Sequence, residues 1–288
     1  MTWLSVAKKD FRDAIQSRAL WALVAVFVVL SVFSTYAYVE VPEMFGGAGG
    51  ASFAGLLFFT IGLSGLFVPL AAIVVCYKSL AGERELGSIK LLLSLPTNRF
   101  NVFIGKVLGR AAVLTVGLGV GLLFGLGVGS FLLGGIDIFA AFVFLAVTLS
   151  FAAVYAGIMV GISASTGSTS RATTLALGFF VVFELLWDVV PMAVVYIVNG
   201  FGLPSTMPEW VFLVSQVSPS SAYLSTVVAL LPGFAEVAGA TPAQTGVGVE
   251  AVEPDPFYLS PEVGIVVLAL WLVVPFLIGY YRFNVADL

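Results

Sequence analysis

Phe53–Tyr77 reads FAGLLFFTIGLSGLFVPLAAIVVCY, without one charged side chain, and Lys78 ends it. A helix rises about 1.5 Å per residue, so roughly 20 apolar residues cross about 30 Å of hydrocarbon. Five more stretches have the same character: Ala19–Tyr38, Ala111–Leu133, Ile138–Ile162, Ala172–Val198 and Val263–Tyr281, each free of Lys and Arg. The reading is an all-α integral membrane protein with six transmembrane helices in one domain over residues 1–288. A shorter apolar run, Ala222–Leu231, is too short to span and reads as a re-entrant or interfacial piece.

The composition agrees. Of 288 residues, 60% are hydrophobic and 10% charged, and the mean hydropathy is +1.11. Soluble domains run nearer 45–50% apolar and about 25% charged. These numbers exclude a soluble enzyme or a nucleic-acid binder. There is no His and one Cys, Cys76. That removes His-based catalysis, His metal sites, an internal disulfide and a cysteine zinc site.

The basic residues orient the chain. Lys8, Lys9, Arg12 and Arg18 precede the first span. Lys78, Arg84, Lys90, Arg99, Lys106 and Arg110 lie between spans two and three. Arg171 lies between four and five, and Arg282 follows six. All twelve fall on one side of a six-span layout. The positive-inside rule then puts both termini in the cytoplasm of a multi-pass plasma-membrane protein. The other side is acidic, with Glu40, Glu43, Asp137, Glu209 and Glu262 among its residues.

Residues 1–18 read as an amphipathic interfacial helix. Trp3, Leu4, Ala7, Phe11, Ala14 and Ile15 form its apolar face, and Lys8, Lys9, Asp10, Arg12 and Asp13 its polar face. Spans three and four form a hairpin through Gly134–Asp137. Span three carries Gly117, Gly119, Gly121, Gly125, Gly127 and Gly129, whose small-xxx-small spacing suits close helix packing. Residues 199–262, on the outer side, hold eight prolines and the apolar islands Trp210–Val214 and Ala222–Leu231.

Chemistry is sparse. No P-loop pattern and no G-x-S-x-G elbow occurs, so the chain reads as a non-enzyme. Glu184 and Asp188 sit inside the fifth span, four residues apart on one face. An acid at that depth is costly unless paired, neutral or hydrogen-bonded, which makes the two candidates for a proton or cation path. The plainer reading ends the span near Trp187 and Pro191, leaving Asp188 in water and Glu184 in a polar crevice. On the pair alone, an autonomous secondary transporter or channel is a possible function.

The loop 78–110 is the more patterned segment. Gly82–Gly87 opens it. Ser88–Leu95 reads as a short apolar helix with Ser88 as N-cap, and Pro96 ends it. Thr97 or Asn98 caps a new helix, Arg99–Arg110, that runs into span three. A short apolar helix bounded by acids and a proline suits docking of a soluble partner, although a generic solvated loop would also fit the pattern.

Gly82-Glu83-Arg84-Glu85-Leu86-Gly87-Ser88-Ile89-Lys90-Leu91-Leu92-Leu93-Ser94-Leu95-Pro96-Thr97-Asn98-Arg99, followed by Gly105-Lys106, resembles ABC-2 type ABC transporter permeases. So do the amphipathic start Val6–Asp13, the six-span layout and Ser218-Pro219 with Tyr223. Ser88 and Asn98 stand where Thr and Ser are more usual in that family. Within it, the likeness runs towards permeases associated with copper-enzyme maturation and with multidrug or sodium efflux. The resemblance implies an exporter whose permeases pair, as a homodimer or with a second permease. Each half would be docked on a separate ATPase that supplies ATP and Mg²⁺, with no cofactor in this chain. Residues 1–18 would be the elbow helix and Gly87–Leu95 the coupling helix, oriented by Glu83 and Glu85. Arg84, Ser88, Leu91, Leu92, Pro96 and Arg99 would share in the coupling.

Overall fold

The computed structural model describes residues 2–44, 51–90, 98–202, 204, 207–231, 234 and 260–286, and the elements described are helical. In chain order they are α1 (Trp3–Ile15), α2 (Arg18–Met44), α3 (Phe53–Cys76), α4 (Ala81–Glu85), α5 (Arg99–Leu133), α6 (Ile138–Ala164) and α7 (Thr169–Phe180). A π-helical segment (Val181–Leu186), α8 (Val189–Val198), α9 (Glu209–Ser215), α10 (Pro219–Leu230) and α11 (Val263–Val285) follow. Six helices among the described residues are long and apolar enough to cross a membrane, matching the six expected stretches.

Polar residues fix the helix starts. Asn98 caps α5, its Oδ1 accepting from the Asn101 N–H at 2.8 Å. Asp137 caps α6 through the Ala140 N–H at 2.9 Å, and Ser52 caps α3 through the Gly55 N–H at 3.1 Å. Each satisfies one of the orphan donors of a first turn. Gly134 closes α5 at φ 72°, in the left-handed region that favours glycine. As expected, α5 runs unbroken from Arg99 into the third span.

The centre of the bundle is α5 and α6. Along α5, glycines four residues apart seat the first two helices in parallel. A methyl group on Gly105 would lie 2.6 Å from Val6 Cβ, on Gly109 2.9 Å from Asp10 Cβ, and on Gly121 2.6 Å from Phe27 Cβ. Gly117 faces Leu23, Gly125 faces Ser31, and Thr35 donates to the Gly125 carbonyl at 3.2 Å. A four-residue glycine ridge is what lets two backbones close on each other. The expectation for the glycine run holds in part, since Gly127 has open space where a Cβ would stand.

Two details differ from the sequence reading. First, Asp10 does not belong to a water-facing side of α1. It is buried with Val6, Ala7 and Ala14, while Leu4 and Ile15 are exposed. The small residues of α1 match the glycines of α5, and Asp10 has cations waiting there. Second, the fifth span is not one helix over Ala172–Val198. It starts at Thr169, widens into the π segment at Val181–Leu186, turns at Trp187–Asp188 and restarts as α8. The Trp187 indole N–H donates to the Val214 carbonyl at 2.7 Å, which ties this turn to the end of α9.

α10 dips among the spans. Ser218 caps it with Pro219 in the first turn. Ser220 donates to the Gly65 carbonyl at 3.3 Å, and Gly65 lies about 18 Å along α3 from Phe53 at 1.5 Å per residue. Tyr223 is fully buried, stacks on Phe151 at 4.4 Å between centroids and hydrogen-bonds Thr148 at 2.7 Å. Further along, Ser225 and Thr226 lie against Gly264 at the start of α11.

Candidate functional site: a clamp at the basic ends of the spans

The turn after α3 is fastened to α6 by one hydroxyl. Ser163, fully buried, accepts from the Leu80 and Ala81 N–H groups at 3.2 and 3.0 Å and donates to the Tyr77 carbonyl at 2.8 Å. This aims α4 across the basic ends of the spans. The three charged residues of α4 then diverge.

Glu83 reaches Lys106 on α5, with Oε1 2.6 Å from Nζ. Lys106 is shared: its Nζ also lies 2.8 Å from Asp10 Oδ1 on α1. Arg110, one turn further along α5, adds a second cation to Asp10. Its Nη2 donates to Oδ1 at 3.2 Å, and its Nε stands 3.0 Å from Oδ2 as an ion pair without an aligned hydrogen bond. The i,i+4 spacing puts Lys106 and Arg110 on one face of α5, beside the Gly105 and Gly109 notches. An acid as buried as Asp10 is stable only with such partners.

Arg84 turns to the end of α6. Its Nη1 donates to the carbonyls of Ala164 at 3.2 Å and Thr166 at 2.9 Å, the negative end of a helix dipole. Glu85 turns to the start of α7, accepting from the Thr169 N–H at 2.8 Å. Hydrogen bonds from the Thr169 side chain and backbone hold its carboxyl below the usual carboxylate range. Arg99, at the first turn of α5, grips the end of α11 through the carbonyls of Phe283, Asn284 and Ala286 at 3.1, 2.6 and 2.9 Å.

Leu86 is 84% exposed. Gly87 turns at φ +70°, and Ile89 tucks in as a buried residue while Ser88 and Lys90 are exposed. Ser88 does not serve as an N-cap. It lies in the helical turn 88–90, and its hydroxyl donates back to the Glu83 carbonyl at 3.3 Å. Leu91, Leu92 and Pro96, expected in the coupling helix, lie outside the described residues.

Within the spans, Glu184 lies in the π segment and accepts from two hydroxyls, Tyr155 on α6 and Ser220 at the start of α10. The preceding residue, Phe183, packs among rings: it lies 4.6 Å from Phe179, 4.8 Å from Trp187 and 5.0 Å from Trp271 between centroids. Asp188, one turn on, is exposed. The two acids therefore differ in surroundings, Glu184 half-buried and Asp188 exposed. The sequence reading has Asp10 only on a polar helix face and Arg110 only among the basic residues that orient the chain, and does not pair them, although the Lys106-x-x-x-Arg110 spacing beside two glycines is a visible signal.

The whole layout can be set beside known proteins. The family model described as "ABC-2 family transporter protein" matches residues 4–288. The "Probable ABC transporter permease protein NosY" of Pseudomonas aeruginosa is 26% identical over 225 residues, which cover 76% of this chain and 78% of that protein. Its namesake from Stutzerimonas stutzeri is 25% identical over the same length and shares. With six apolar spans and a family match across almost its full length, the chain belongs to the ABC-2 family as the membrane subunit of an ABC transporter.

Proposed function

We propose that this chain is the permease half of an exporter driven by a separate ATPase, which docks on the basic side at Leu86–Lys90 and the residues 91–97 that follow. The observation that carries this reading is the divergence of Glu83, Arg84 and Glu85. One short helix holds α5 with α1, the end of α6 and the start of α7. A displacement of that helix is delivered to all of them together. Leu86, Gly87 and Ser88 are the described part of the segment offered to the ATPase, Leu91, Leu92 and Pro96 follow in sequence outside the described residues, and Arg99 anchors the start of α5 to α11.

The basic side is the cytoplasmic side of the plasma membrane, with both termini there, because all twelve Lys and Arg lie on it. ATP and Mg²⁺ belong to the partner ATPase. Two permease halves pair, as a homodimer or with a second permease. Glu184 and Asp188 are path residues of this machine rather than the ion site of an autonomous carrier. Glu184 sits where α6, the broken fifth span and α10 meet, so opening that junction exposes a carboxylate to the path.

The test is a tagged permease released gently from its native membranes. A P-loop ATPase is expected to co-purify and the eluate to hydrolyse ATP. Leu86→Glu, at a side chain outside the clamp, is expected to lose both while the permease remains monodisperse. An ATPase-free homo-oligomer overturns the proposal.

A further inference from the structure

α2 leans mainly on α5 and only lightly on α3. The glycine notches at Gly117, Gly121 and Gly125 take Leu23, Phe27 and Ser31, and α3 packs on α5 and α6. The consequence is a slot between α2 and α3, a cavity of about 700 Å³. Its walls are apolar: Leu23, Val26 and Leu30 on α2, Phe67, Leu70 and Val74 on α3. Val26 and Val74 are 52% and 68% exposed, so the slot opens sideways at the depth of the spans. From Leu20 to Leu30 it is about 15 Å long at 1.5 Å per residue. An empty space of this size leaves its lining without contacts, and water has no polar partners there.

The slot has a polar mouth on the basic side, at Asp10, Asp13, Ser17 and Arg110. Asp10 is already matched by Lys106 and Arg110. Asp13 is exposed and has no ion pair among the described residues. Arg18 follows Ser17 directly and is exposed as well. The mouth therefore offers one free carboxylate, Asp13, and the exposed guanidinium of Arg18 follows just outside the lining, at the start of α2, on a side of the protein where the other charges are mostly basic.

We infer that the slot between α2 and α3 is a binding site for one phospholipid with an ammonium headgroup, phosphatidylethanolamine in chemistry. One acyl chain lies between Leu23–Leu30 and Phe67–Val74, the ammonium at Asp13 and the phosphate at Arg18. The lipid completes the wall that α2 and α3 do not close, and it holds α1 and α2 together at the elbow. The site is independent of the ATPase, so it stands or falls apart from the proposed function.

The experiment is native mass spectrometry of the full chain released from nanodiscs of equal parts phosphatidylethanolamine and phosphatidylglycerol. One retained phosphatidylethanolamine per chain is expected. Val74→Trp, at an exposed wall position, is expected to abolish retention. Asp13→Asn is expected to lower the ethanolamine preference about threefold, the scale of one exposed ion pair. No retained lipid, equal retention of the anionic lipid by the unaltered chain, or retention unaffected by Val74→Trp overturns the inference. So does efficient disulfide dimerisation of Val74→Cys in membranes, which would make a second copy the occupant; Cys76 is fully buried and does not compete.

Discussion

Asp10 and Glu184 are both acids withdrawn from water, and they are held by opposite means. Asp10 sits between two cations, Lys106 and Arg110, at the basic ends of the spans. Glu184 sits within the spans and is held by two neutral hydroxyls, Tyr155 and Ser220. With Glu83 also on Lys106 the first arrangement is charge-balanced, so it is rigid and breaks at high cost. The second is a pair of hydrogen bonds to groups on two different elements, which can be exchanged for water one at a time. The molecule is locked where α4 is seated and releasable where the fifth span breaks.

The contrast can be broken at its rigid end first. Asp10→Ala leaves Lys106 and Arg110 side by side on α5 without the acid they share, and the cost expected for one missing partner of a buried pair is about 3–5 kcal/mol. Thermal unfolding in detergent should show a large fall in Tm. An unchanged Tm would mean that the cluster is wet and weak. Tyr155→Phe probes the releasable end. It removes one donor to Glu184 without changing the packing, and about 1 kcal/mol is expected, the scale of a single hydrogen bond. The same assay reads it, and a loss as large as that of Asp10→Ala would erase the distinction. Glu85→Gln sharpens the comparison at the surface. The Glu85 carboxyl is lowered in the folded chain from its ordinary 4.5, so its contribution is complete above that value and is lost as pH falls through the lowered one. Tm measured from neutral to acid pH should therefore fall less steeply below 4.5 in the variant than in the parent.

Much of the fold is legible in residue order because a bilayer demands long apolar runs and sorts basic residues to one side. The six spans, the Asn98 start of α5, the hairpin at Gly134–Asp137 and the shortness of Ala222–Leu231 follow from those rules. The break in the fifth span does not. Val181–Leu186 is apolar apart from Glu184 and contains neither Gly nor Pro. The widened turn coincides with partners on α6 and α10, which periodicity cannot reveal. The clamp was half legible. Glu83, Arg84 and Glu85 stand out as a charged triplet, but their partners are some twenty to eighty residues away. Asp10 was placed on the wrong face because amphipathic sorting treats every charge as solvent-seeking, whereas a buried acid follows its cations. The functional weight of the loop 78–110 comes from resemblance.

The central claim is that α4 conveys movement from a docked ATPase to the fifth span. The direct measurement is ATP-dependent labelling of Asp188→Cys by a hydrophilic maleimide in the purified permease–ATPase complex, with the clamp intact and with Arg84→Gln/Glu85→Gln. The clamp predicts that ATP changes the labelling rate in the intact complex. In the variant, ATP hydrolysis should continue while the labelling rate no longer responds. The same ATP-dependent change in both proteins would contradict it.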